Sequence, residues 1–154
     1  MYGIVLNEKH PTYPVDVFMC IEKEVKALNW LISNVECYGN DNYHFPFEDS
    51  DKVLISGQEL FDLLQDHARI QFVWGLFQGY TSSVDPFEIM SKPEIDIQSL
   101  DLFTAKTIRH IDPDSVLEIV AFDSSETYIL TDSFAVINKL ACKYKKANIL
   151  DGRN

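Results

Sequence analysis

VLISGQELFDLLQDHARIQFVWGLFQGY, residues 53–80, decides the fold. Ser56 stands three residues before Glu59, the spacing at which a hydroxyl caps the first-turn amides while the carboxylate reaches back to the cap. Leu60, Phe61, Leu63 and Leu64 follow as a narrow apolar stripe at helical spacing, with Asp62, Gln65 and Asp66 on the wet side. Beyond His67 and Ala68 the period changes to two. Ile70, Phe72, Trp74 and Leu76 are expected on one face of a strand, and Val73, Gly75 and Phe77 on the other. A strand that is apolar on both faces belongs inside a sheet. Gly75 and Gly79 suit a bulge or the close approach of a helix.

The flanking elements read outward from there. Tyr2–Leu6 is a short strand, and 8–13 is a turn-rich link containing Pro11. Pro14 and Asp16 open a helix that stops near Asn29, with Asp16 as the expected N-cap, Phe18, Ile21, Val25 and Leu28 inward, and Glu22 and Lys26 paired outside. Trp30–Tyr38 is a strand, 39–51 a polar loop and Val53–Ile55 another short strand. Asp85-Pro86 starts a turn of helix that Pro93 ends, and Glu94–Ile97 alternates like an edge strand. The segment 100–111 is ambiguous. Val116–Phe122 and Glu126–Thr131 form a hairpin about Asp123-Ser124-Ser125. Asp132 is the expected cap of a last helix carrying Phe134, Ile137, Leu140, Ala141 and Tyr144, and Asn148–Leu150 could add a final strand before a frayed end. Strand hairpins mixed with helices predict an α+β fold. The expectation is one globular domain, residues 1–154, with a single, mostly antiparallel sheet of five to six strands and helices packed mainly on one face.

Composition narrows the function classes. The 154 residues are 46% hydrophobic, enough to build a sizeable core. No apolar run approaches the roughly 20 residues that span a bilayer, and the start has neither the basic residues nor the apolar middle of an export signal. A cytoplasmic location is therefore expected, with Cys20, Cys37 and Cys142 as reduced thiols. The net charge is −11. Lys139, Lys143, Lys145, Lys146 and Arg153 gather near the end, so the remainder is more negative still. Nucleic-acid binding wants the opposite sign over a broad surface, and neither nucleic acid nor a membrane is an expected partner.

Chemical motifs are sparse. The chain has no Gly-x-Ser-x-Gly elbow, no Gly-x-Gly-x-x-Gly and no Gly-rich phosphate loop, and no cofactor is expected. His110, Asp112 and Asp114 alternate and would offer three ligands if the backbone were extended there, which leaves open a small metal-dependent hydrolase. A polar turn before a strand accounts for the same residues. The more distinctive stretch is 36–51, which has no lysine or arginine. Glu36, Asp41, Glu48, Asp49 and Asp51 interleave there with Tyr38, Tyr43, His44, Phe45 and Phe47. Aromatic anchors inside a rim of like charge suit a basic protein partner, although Phe45-Pro46-Phe47 could equally pin the loop to the core. A second acidic zone holds Asp85, Glu88, Glu94, Asp96 and Asp101, diluted only by Lys92.

Asn29-Trp30-Leu31-Ile32, Glu36-Cys37-Tyr38, Phe45-Pro46 and Ile55-Ser56-Gly57-Gln58-Glu59-Leu60, continuing into Phe72–Phe77, resemble an uncharacterised family of small bacterial cytosolic proteins. The resemblance covers about the first two thirds and departs from 82 to 114, and it implies no site residues. By size, acidity and lack of motif the chain is also similar to the immunity proteins of bacterial toxin systems. That similarity implies a non-enzymatic protein that binds and neutralises a cognate toxin, often a basic nuclease; a monomer or weak dimer is expected. A self-associating protein whose apolar strands pair across a dimer is the third expectation.

Overall fold

A computed structural model describes residues 1–7, 13–39, 43–99 and 108–151. The apolar strands assemble one sheet from β1 (Tyr2–Leu6), β2 (Asn29–Tyr38), β3 (Lys52–Ser56), β4 (Gln71–Tyr80), β5 (Leu117–Phe122), β6 (Glu126–Thr131) and β7 (Asn148–Asp151). Their order is β3-β2-β4-β5-β6-β1-β7, and every neighbouring pair is antiparallel. The fold is α+β, and the sheet has seven strands where five to six were expected. The seventh is β7, which falls where Asn148–Leu150 could add a final strand and which pairs with β1. Glu94–Ile97, the other short candidate, is not a strand; it leads into a 3₁₀ turn at Ile97–Ser99.

Five α-helices are described: α1 (Pro14–Cys20), α2 (Glu22–Lys26), α3 (Gly57–Asp66), α4 (Pro86–Ser91) and α5 (Phe134–Lys143). All but α4 send their buried residues into one large core. Val17, Phe18, Val25, Leu60, Phe61, Leu64, Ile137 and Leu140 meet Ile4, Trp30, Ile32, Phe77, Ile119 and Ile129 from the sheet. Among the described residues the opposite face is covered more thinly. Ile97 packs with Leu76, Val120 and Tyr128, and Ile89 of α4 packs with Leu31 and Tyr80. No helix among the described residues is long and apolar enough to cross a membrane.

Two irregularities in the β2–β4 ladder reassign a key aromatic. Register shifts fall between Ser33 and Glu36 and between Glu36 and Cys37, and Asn34 has φ 54°. Each bulge inserts an unpaired residue and flips the alternation beyond it. Phe72 therefore joins Phe77 in the large core, while Trp74 and Leu76 lie on the other face. Strict alternation had put Phe72 with Trp74. The β5–β6 hairpin closes through Asp123 (φ 47°) and Ser124 (φ 57°), with Ser125 N donating to the Phe122 carbonyl O at 3.1 Å. Two successive positive φ values make the tight turn whose twist matches the strands.

The helix expected to run on to Asn29 breaks at Ile21 into α1 and α2. Tyr13, not Asp16, is the N-cap of α1, with Pro14 in its first turn. Asp132 likewise yields to Ser133, whose hydroxyl accepts from Val136 N at the start of α5. Ser56 and Glu59 do form the expected capping box on α3. Gly57 then meets the end of α2 directly. Its N–H donates to the Leu28 carbonyl O at 2.8 Å, and a Cβ there would lie 2.0 Å from the Val25 carbonyl O. Backbone cannot yield as a side-chain end can, so Gly57→Ala is expected to destabilise the protein by about 2–3 kcal/mol or more. Urea unfolding measures it; a loss below ~0.5 kcal/mol would show that α2 and α3 do not meet this closely.

Candidate functional site

The ten residues expected to meet a partner divide into two groups. Tyr43, His44, Phe45, Phe47, Glu48, Asp49 and Asp51 belong to the loop leading into β3. Phe45 and Phe47 are 1% and 2% exposed, so they are core residues and not anchors for a partner. They stack at 5.4 Å, and Phe47 continues onto Phe72 at 5.6 Å. Hydrophobic burial thus wins over display for these two rings. Above them the polar residues hold one another. His44 Nε2 lies 2.6 Å from Asp49 Oδ2 and its Nδ1 3.5 Å from Glu48 Oε2. The hydrogen bond and charge of Asp49 hold the His44 pKa above its usual value. Glu48 also accepts from Phe45 N at 2.5 Å, and the half-exposed Tyr43 stacks on His67 at 4.0 Å.

Glu36 and Tyr38 belong elsewhere. Cys37 packs against the large core, so strand alternation turns its two neighbours to the opposite face. Both are exposed there, with the Tyr38 hydroxyl donating to Glu36 Oε1 at 3.1 Å. Asp41 lies outside the described residues, as do Asp101 and most of the ambiguous segment 100–111.

That opposite face receives the second acidic zone. Asn34 Nδ2 donates to the Ile95 carbonyl O at 2.6 Å, which ties the segment bearing Glu94 and Asp96 beside β2, close in sequence to Glu36. Glu94, Asp96, Asp85 and Glu88 are all exposed. Asp85 caps α4 through Phe87 N at 2.8 Å and Glu88 N at 3.3 Å. The cap leaves Phe87 projecting from the first turn at 83% exposure, with Met90 at 37% and Tyr38 at 63%. Two lysines described on this side of the sheet are engaged. Lys52 Nζ donates to the Lys92 carbonyl O at 2.8 Å, and Lys92 is drawn to Asp112 and Asp114.

What draws Lys92 begins with a wholly buried carboxylate. Glu118 sits on β5, the middle strand, at 0% exposure. Its Oε2 accepts from Ile111 N at 2.7 Å and its Oε1 from Asp112 N at 2.8 Å. Gln78, its register partner on β4, adds an amide N–H at 3.2 Å. Three donors satisfy an acceptor that burial would otherwise make costly. The turn from 110 to 115 is thereby fixed over the sheet. Asp112 then accepts from the Tyr80 hydroxyl at 2.8 Å and from Asp114 N at 2.9 Å, and lies 3.0 Å from Lys92 Nζ. Lys92 Nζ is also 2.6 Å from Asp114 Oδ2. Burial pushes the Asp112 carboxyl up, but the bonds from Asp114 N, Tyr80 and Lys92 outweigh it and leave the group below its usual range. Burial lowers Lys92, but its bonds to Asp114 and Asp112 and their charges outweigh it, for a net rise. Tyr80 is raised, first by burial and then by its bond to Asp112.

In this arrangement His110, Asp112 and Asp114 do not converge on one point. The two aspartates share a lysine, while His110 turns toward Glu118, its Nδ1 3.5 Å from Oε2. Among the described residues no group of three His, Cys, Asp or Glu side chains is placed to hold an ion. Glu118 and Gln78 were not singled out from the sequence. Their signal was there: each is a polar residue inside an apolar strand, and the register sets them opposite.

No family model, curated protein or solved structure matches the chain.

His110 makes the buried cluster sensitive to pH. Its hydrogen-bonding contact with Glu118 raises its pKa from 6.5, burial opposes this, and the charges of Glu118 and Asp132 add to the rise. A raised folded-state value means the stabilisation is full below the unfolded value and is lost as pH climbs through the folded one. Wild-type stability is therefore expected to fall more steeply than that of His110→Asn as pH rises from about 6 toward 9. Urea unfolding of both proteins across that range checks it. His44 is present in both and cancels; parallel curves would contradict the assignment.

Proposed function

We propose that this chain is a non-enzymatic binding protein for a basic protein partner, and that it acts as an immunity protein neutralising a nuclease-type toxin domain. One observation carries the reading. On the face of the sheet opposite the large core, Glu36 and Tyr38 are exposed at the end of β2, Glu94 and Asp96 on the segment tied to Asn34, and Asp85, Glu88 and Phe87 on α4, while Lys52 and Lys92 are engaged by other groups. An acidic rim speeds encounter with a basic surface, up to ~10⁸–10⁹ per molar per second at low salt. An exposed aromatic supplies the desolvated contact that slows release. The pinned loop bearing Tyr43, His44, Glu48 and Asp49 extends negative charge to the other side, already ordered before binding.

The test uses the product of the gene immediately upstream, expressed as its C-terminal domain. The expectation is a basic domain that forms a stable complex with this chain. Glu36→Gln/Glu94→Gln/Asp96→Asn should lower the association rate by about tenfold at low salt and flatten its salt dependence. Phe87→Ala should act on the dissociation rate instead. No complex, or association unaltered in the triple variant, contradicts the proposal.

A further inference from the structure

Two contacts fix how α5 lies against the first helices. Lys139 Nζ is 2.5 Å from Glu24 Oε1, and Lys143 Nζ donates to the Asp16 carbonyl O at 2.5 Å. Each helix carries a cysteine between these contacts. Cys20 lies one turn after Asp16, and Cys142 shares a face of α5 with Lys139, three residues before it. Cys20 Sγ reaches the Lys139 carbonyl O at 3.6 Å, at the level where the α5 chain turns toward Cys142. Cys142 is exposed and Cys20 half-buried. The thiols also feel each other: burial raises the Cys20 pKa, Lys143 and Lys139 lower it, and the charges of Glu24 and Cys142 add to the rise. The third cysteine, Cys37, lies half-buried on β2, where burial pushes it up to about 12.

We propose that Cys20 and Cys142 form a reactive thiol pair, a modification site at which a low-molecular-weight disulfide staples α1 to α5. The step is ordinary thiol–disulfide exchange. The exposed Cys142 thiol loses its proton, and the thiolate attacks one sulfur of the small disulfide. That bond breaks, and the departing thiolate takes up the proton. Cys20 then deprotonates beside Lys139 and Lys143 and attacks Cys142 Sγ, expelling the second small thiolate, which is protonated in turn. Two protein thiols are oxidised to one disulfide, and the small disulfide is reduced to two thiols. Helices packed this closely can bring two Cα atoms within the ~7 Å a disulfide spans. The staple closes a loop running from α1 to α5, a constraint that acts chiefly on the unfolded chain. Distance in sequence hides the pair; only the packing of α5 on α1 reveals it.

Oxidised glutathione is the probe, applied to the full chain under native conditions and followed by alkylation, intact mass and peptide mapping. Wild type and Cys37→Ser are expected to lose two alkylatable thiols to one intramolecular bond between Cys20 and Cys142, with no glutathione retained. Cys20→Ser is expected to hold a stable glutathione on Cys142. Wild-type protein that keeps glutathione on Cys142 while Cys20 remains alkylatable would overturn the proposal, as would a bond joining two chains. The wild-type result alone decides, so the fold of the variants does not enter.

Discussion

A carboxylate with no exposure to solvent organises the side of the sheet opposite the large core. Glu118 stands on the middle strand, where an unsatisfied charge would cost several kcal/mol. Its partners are therefore obligatory, and two of them are main-chain N–H groups of Ile111 and Asp112. A side chain in the sheet thus dictates the path of the chain above it. The sheet's large core, under α1, α2, α3 and α5, is held by apolar burial. On the opposite face the apolar clusters are smaller, and this hydrogen-bonded clamp adds to them.

The clamp has a consequence for surface charge. By fixing the turn at Asp112, Glu118 positions two aspartates where they take the Lys92 ammonium. Lys92 is the residue that would otherwise dilute the acids of α4 and of the segment after it. Buried chemistry and exposed potential are coupled in this way, and the proposed docking face depends on the coupling. On the other side of the sheet a different device serves the same end. Phe45 and Phe47 go inward and hold the loop, and Glu48 and Asp49 stay out with His44 between them.

Much of this was legible in the residues. The capping box at Ser56, the change of period after His67, the Glu22–Lys26 pair and the hairpin about Asp123 all rest on local rules, and the structure contains them. The misreadings came from non-local causes. Phe72 changed faces because bulges in the β2–β4 ladder reset the alternation. Of the two short candidates, Asn148–Leu150 finds a partner strand in β1, while Glu94–Ile97 alternates but pairs with none. The acidic stretch 36–51 reads as one patch in sequence, yet the inward turn of Cys37 sends Glu36 and Tyr38 to the other face. The link from Asn34 to Ile95 then joins them to acids far along the chain. Glu118 shows the same limit: its type was conspicuous in an apolar strand, but its partners are visible only once the turn is folded over it.

Amide hydrogen exchange at Ile111 and Asp112 tests the clamp most directly. If Glu118 holds that turn, both amides exchange slowly in the wild type although they lie outside any helix or strand. Glu118→Gln, which weakens a charged acceptor, should then speed them by about tenfold or more while the β4–β5 amides change far less. Exchange of these two amides at unprotected rates in the wild type, or at the same rate in both proteins, would contradict the account.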